Sequence, residues 1–146
     1  MSNGYRILKS GLVIEVWVGR ITKEEFFEHE RKQWQDPNLP SAPRFLVDFT
    51  RATVEPSIGE KDIQEFIGLY QQYRNKAAGT RSAIIAGKEF DKASLYGRLA
   101  EREKVNVIVF NTITPACIWL GVKEPDVRKE VERMQAELLG ASPLDT

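Results

Sequence analysis

Three short segments, 44–49 ("RFLVDF"), 81–87 ("RSAIIAG") and 105–110 ("VNVIVF"), are apolar almost without interruption, and long stretches of helical periodicity separate them. No other feature constrains the fold as much. A strand that is apolar on both faces must be covered on both faces, as happens in parallel sheets packed between helices. Successive parallel strands are then joined by right-handed crossovers, each carrying a helix.

The intervening stretches supply those helices. In "EKDIQEFIGLYQQYRNK", Ile63, Phe66, Ile67 and Tyr70 fall at i, i+3, i+4 and i+7. "KEFDKASLYGRLAEREK" directs Phe90, Leu95 and Leu99 toward a core. Further upstream, "GRITKEEFFEHERKQWQDP" pairs Thr22 with Glu25 as a capping box and Ile21 with Phe26 as a hydrophobic staple. That predicts a helix over 23–35, with Phe27 and Trp34 marking one face and Pro37 and Pro40 ending it. The N-terminal "YRILKSGLVIEVWVG" predicts a β-hairpin turning at Lys9-Ser10-Gly11. Its second strand sets Leu12, Ile14, Val16 and Val18 on one face and Val13, Glu15 and Trp17 on the other. "TPACIWLG" predicts a short helix with Thr114 as N-cap, Pro115 at the first helical position and Gly121 just past the end. Pro125 opens a last helix with a narrow stripe of Val127, Val131, Met134 and Leu138, ended by Gly140 and Pro143.

The element order is β-β-α-β-α-β-α-β-α. The expected fold is α/β: a hairpin followed by β-α units, a mixed four- to five-stranded sheet with packed helices, and an extra C-terminal helix. Residues 1–122 form the domain, and 123–146 are a helical extension and tail of the same globular unit.

A chain of 146 residues is long enough for one core without metal or disulfide help. Its 42% hydrophobic and 29% charged residues are ordinary for a globular protein. The 21 basic and 21 acidic residues cancel, so the basic excess of a nucleic-acid binder is absent. The N-terminus lacks a signal-peptide core, and no apolar run approaches the roughly 20 residues of a membrane span. The single cysteine, Cys117, excludes an intrachain disulfide and fits a reducing compartment. The expected location is cytoplasmic.

Groups able to do chemistry are sparse. The only histidine, His29, sits in a charged helix and is expected to be solvated. Cys117, inside an apolar helix, is expected to behave as a small hydrophobe. No His/Cys set has metal-ligand spacing, so neither a metal nor a cofactor is implied. "RSAIIAGKEF" fails as a phosphate loop, because Ser82 stands where the first glycine belongs and Glu89 follows Lys88. Trp17, Trp34 and Trp119 are expected in core and interface positions. Catalysis would require Asp48, Arg51, Glu55 and Thr53 to converge, and no spacing rule brings them together. The chain is read as a non-enzyme.

The sequence of elements, with Leu46-Val47-Asp48 ending a strand and Ala116-Cys117-Ile118-Trp119-Leu120 in a late helix, resembles the STAS-like domains, relatives of the bacterial anti-sigma-factor antagonists. It looks closest to their SpoIIAA-like branch, over residues 5–122. The resemblance implies a non-enzymatic interaction switch working with a regulatory partner protein. In the antagonists the matching loop reads Asp-Ser-Ser-Gly, and its first serine is phosphorylated. Here it reads Pro56-Ser57-Ile58-Gly59, which puts Ser57 on the phospho-acceptor position with the flanking acid and second serine replaced. Ser57 with Glu60 also fits a capping box, so a plain N-cap is the leading expectation. The implied interaction loop comprises Asp48, Thr50, Arg51, Thr53, Glu55 and Gly59. The architecture is also related to Sec14-type lipid-binding domains, which makes Phe66, Tyr70, Tyr73 and Phe90 candidates to border an apolar ligand cavity. Finally, the C-terminal stripe is expected either to cover its own sheet or to clasp a second subunit in a homodimer.

Overall fold

Chain reversal at Gly11, whose φ of +90° suits glycine, closes a hairpin of β1 (Asn3–Ile7) and β2 (Leu12–Ile21). The protein is described here by a computed structural model covering residues 2–140. Parallel to β2 run β3 (Arg44–Val54), β4 (Arg81–Ile85) and β5 (Asn106–Phe110), giving a five-stranded sheet in the order β1-β2-β3-β4-β5. The crossovers are α1 (Lys23–Trp34), α2 (Glu60–Gln72) with the short α3 (Arg74–Ala77), and α4 (Phe90–Ala100). After β5 follow α5 (Ile113–Leu120) and α6 (Glu124–Leu138).

When parallel strands are added in one direction, right-handed crossovers place every connecting helix on one face. That face holds the first core: Val13 and Trp17 of β2, Phe45 and Val47 of β3, and Ile84 of β4, under α1, α2 and α4. The opposite face holds a second core in which Leu12, Ile14, Leu46 and Ile85 meet Cys117 and Leu120 of α5 and Val127, Val131 and Met134 of α6. A glycine makes one close approach possible, since a Cβ at Gly97 of α4 would stand 3.3 Å from Val107 Cγ1 of β5.

Several local expectations change. Strand β3 is 11 residues long, reaching Val54 rather than stopping at Phe49. Its register against β2 shifts between Val16↔Asp48 and Val18↔Arg51, so Phe49 and Thr50 together oppose Trp17. This bulge resets the alternation, which is why Val47 and Ala52, five apart, both enter the first core. The helix after β3 breaks at Tyr73, where φ −116° and ψ 25° leave helical geometry. The N-cap of α5 is Thr112, not Thr114, so Pro115 is its third residue. Gly121 ends it in the left-handed conformation, as expected. Phe90 opens α4 half-buried, outside the first core that takes Leu99 and Leu95. The α6 stripe lies on its own sheet, with Val127, Val131 and Met134 buried, so these residues are not free to clasp another subunit. Gly140 follows α6 with φ +64°, and Pro143 lies outside the described residues. Among the described residues no helix is long and apolar enough to cross a membrane.

Candidate functional site

Between α1, α2, α4 and the sheet lies a cavity of about 80 Å³. One water needs roughly 10–15 Å³ on this scale, so the space accepts several heavy atoms with no side chain moving. Its walls are mostly apolar, with Phe26, Phe45, Val47, Ile63, Phe66 and Ile84 among them. The partly exposed Glu89 and Lys92 line it from the start of α4, just past the C-terminal end of β4. The carboxyl ends of parallel strands are where open α/β sheets receive ligands. Glu89 also fixes the neighbouring strand end, its Oε2 accepting Val54 N–H at 2.7 Å, while Lys92 Nζ donates to Glu55 O at 3.3 Å.

The cavity has a polar wall, and its residues are among the least expected in the core. Glu15, on the same face of β2 as Val13 and Trp17, is 7% exposed. Its Oε2 accepts from Trp17 Nε1 at 2.7 Å and its Oε1 from Gln33 Nε2 at 2.8 Å. His29 and Glu30 of α1 are 4% and 7% exposed. His29 Nδ1 stands 2.8 Å from Asn3 Oδ1, an amide oxygen that only accepts, so Nδ1 carries hydrogen. His29 Nε2 is 3.2 Å from Glu15 Oε1 yet misaligned for a hydrogen bond, and has no partner among the described residues. Tyr96 donates to Glu30 Oε1 at 3.4 Å, and the Tyr70 and Tyr96 hydroxyls bond each other. The expectation of a solvated His29 is thus overturned: α1 turns His29, Glu30 and Gln33 inward with Trp34.

Burial sets the electrostatics of this wall. It pushes the Glu30 carboxyl up to about 8, helped by the neighbouring charge of Glu15. Burial also acts against ionised Glu15 and against charged His29, but their attraction outweighs it. The Glu15 carboxyl is held below its ordinary range and the His29 imidazole above its own. The Tyr70 and Tyr96 phenols are raised well above theirs, chiefly by burial.

Of the aromatic residues expected to border a cavity, Phe66 and Tyr70 do so. Tyr73 and Phe90 do not line it. Tyr73 stacks on Trp34 instead, rings 6.3 Å apart, and its hydroxyl accepts from Gln35 Nε2. The expected interaction loop is mostly strand. Asp48, Thr50, Arg51 and Thr53 belong to β3, Glu55 opens a turn closed by Ile58 N–H donating to Glu55 O, and Gly59 is the N-cap of α2. Asp48 is 3% exposed, its carboxylate accepting Thr50 Oγ1 at 2.8 Å and Gln135 Nε2 of α6 at 2.7 Å. Ser57 does not cap α2. The cap is Gly59, whose N–H donates to Asp62 Oδ2 at 2.9 Å, and Ser57 is exposed, reaching only Glu55 Oε1 at 3.4 Å. Cys117 is buried in the second core, and burial raises its thiol.

Comparison with known proteins gives a fold. No family model matches the chain, and no curated protein matches it. Among solved structures it is similar to an uncharacterized protein of the DUF3478 family from Shewanella loihica PV-4, itself described as having a SpoIIAA-like fold. The two are 17% identical and superpose with a TM-score of 0.54 over 82% of this chain and 94% of that one. With its hairpin, parallel β-α units and sequential strand order, this chain adopts the SpoIIAA-like fold.

Proposed function

We propose that the chain is a non-enzymatic STAS-like module that holds a small apolar molecule between α2 and the sheet, as a carrier or sensor. The observation that carries this reading is the cavity itself. A core of this size normally packs without such a void, since unfilled volume forfeits dispersion contacts. The walls are mostly apolar, and Glu15, Glu30 and Gln33 give one of them a buried polar patch, the pattern of a site that takes an apolar body and orients one end. Native mass spectrometry of gently purified full-length protein tests it. An added mass released by organic solvent is expected. Ala93, buried in the cavity wall, provides the control: Ala93→Leu fills the space and should purify without that mass. A uniform bare mass from several expression hosts, with no uptake of an apolar fluorescent probe, would overturn the reading.

The regulatory-switch reading keeps one supporting observation, the exposed Ser57 hydroxyl two residues before the α2 cap. A phosphate there would lie near the free N–H groups of that helix. Its test is phosphopeptide mass spectrometry on protein from its native host. Modification at Ser57 supports a switch, and its absence across growth conditions removes it.

A further inference from the structure

We propose that Glu15, His29 and Glu30 form a binding site for one divalent transition-metal ion at the polar wall of the cavity. The proposal stands on donor geometry and does not depend on what fills the apolar space. One donor atom from each residue lies within 4.8 Å of the others, and all three side chains are buried. Glu15 Oε1 and His29 Nε2 are already 3.2 Å apart. That is close to the separation of two donors each about 2.1 Å from a shared ion. Modest rotation of the Glu30 side chain would complete the set.

The unpartnered imidazole nitrogen points the same way. Nδ1–H is committed to Asn3 Oδ1, which leaves Nε2 as the free nitrogen, 3.2 Å from Glu15 Oε1 and without a hydrogen bond among the described residues. Metal-bound histidines typically have this arrangement, one nitrogen donating to an oxygen and the other presenting its lone pair. The carboxylates are likewise positioned by donors: Trp17 holds Glu15 Oε2, Gln33 reaches Glu15 Oε1 itself, and Tyr96 donates to Glu30 Oε1. A divalent ion would take the place of the protons that Glu30 and His29 otherwise hold: with both carboxylates ionised and the imidazole neutral, its two positive charges match the two negative ones in the low-dielectric interior. One nitrogen and two carboxylate donors favour Zn²⁺, Co²⁺, Fe²⁺ or Mn²⁺ over Mg²⁺ or Ca²⁺. Because Glu15 and Glu30 also line the cavity, a further coordination position would face it.

The test uses the full-length protein, stripped with chelator and titrated with Co²⁺ and then Zn²⁺, binding being read by visible absorption and calorimetry. Equimolar Co²⁺ uptake is expected, with the absorption band lost on Zn²⁺ addition. His29→Gln and Glu30→Gln should weaken binding by more than the Asn3→Ala variant, which removes the support behind His29 and is expected to cost about 10- to 100-fold. Circular dichroism confirms that each variant is folded. Where a ligand variant does not fold, the wild-type titration and Asn3→Ala decide. Failure of folded wild-type protein to take up either ion overturns the proposal and leaves a network held by protons alone. Binding that is undiminished in folded Glu30→Gln and Asn3→Ala places the metal elsewhere and overturns it as well. Neither result bears on whether an apolar mass copurifies.

Discussion

Glu15 occupies a position that β2 would otherwise fill with a branched aliphatic side chain. Its carboxylate remains there because donors surround it, and the indole N–H of Trp17 is one of the closest, at 2.7 Å. Trp17→Phe keeps most of the ring packing and deletes that donor. Leaving a buried acceptor short of a partner costs about 1–3 kcal/mol, so a drop of that size in unfolding free energy is expected from urea titration. A loss below about 0.5 kcal/mol would mean that the bond contributes nothing net. Ser57 gives the opposite case. Because Gly59 caps α2, Ser57→Ala should change stability by less than about 0.5 kcal/mol, against about 0.5–2 for a true N-cap. A larger loss would restore the capping role that its S-x-x-E spacing suggests. These residues also show where the site was legible. Phe26, His29, Glu30, Gln33 and Trp34 stand at i, i+3, i+4, i+7 and i+8, the core stripe of α1 with polar side chains in its middle. Judged by polarity, those side chains read as solvated. Judged by phase, they read as buried. Even so, the contact of α1 with Glu15 needs the crossover that lays the helix on β2, and no spacing in the sequence encodes it.

At the scale of elements, α6 is the clearest case of an apolar stripe whose destination its own sequence leaves open. The stripe fits a second subunit as well as a sheet. What decides is the surface it meets: Leu12, Ile14, Val16 and Val18 of β2 form an apolar face that α1, α2 and α4 cannot reach. Met134 is 4% exposed within that contact. Met134→Ala is therefore expected to cost about 2–5 kcal/mol, read as an earlier denaturation midpoint. Ending the chain after Val122 should strip that face and abolish cooperative unfolding. A truncated protein that still melts in one sharp transition would show α6 to be an accessory. Elements with internal signals were legible: the capping box of α1 forms as read, with Thr22 Oγ1 accepting Glu25 N–H at 3.2 Å. The second half of β3 was not, because "TRATV" has too few apolar residues to announce a strand. Its pairing with residues 18–21 of β2 and the bulge opposite Trp17 are tertiary facts.

For the molecule as a whole, the sheet is a partition between two cores. Ile84 and Ile85 are adjacent in sequence and each 4% exposed, yet Ile84 belongs to the core under α1, α2 and α4 while Ile85 packs with α5 and α6. Ile84 has another neighbour across the ladder, Val47 of β3, in the same core. Packing energy is exchanged through side-chain contact, and residues sharing a cavity or partner couple, whereas those without shared partners add. Ile→Val at either position should cost about 0.5–1.5 kcal/mol. The double mutant Ile84→Val/Ile85→Val should then lose the sum of its parts to within about 0.5 kcal/mol, although the residues are covalent neighbours. Val47→Ala with Ile84→Val should depart from additivity by more than about 0.5 kcal/mol, although the residues are far apart in the chain. Urea unfolding of the two double-mutant cycles measures both quantities. Strong coupling between Ile84 and Ile85 would mean that backbone strain crosses the sheet. In that case an occupant of the cavity on one face would be felt by α5 and α6 on the other. Additivity would confine its effect to the face that holds it.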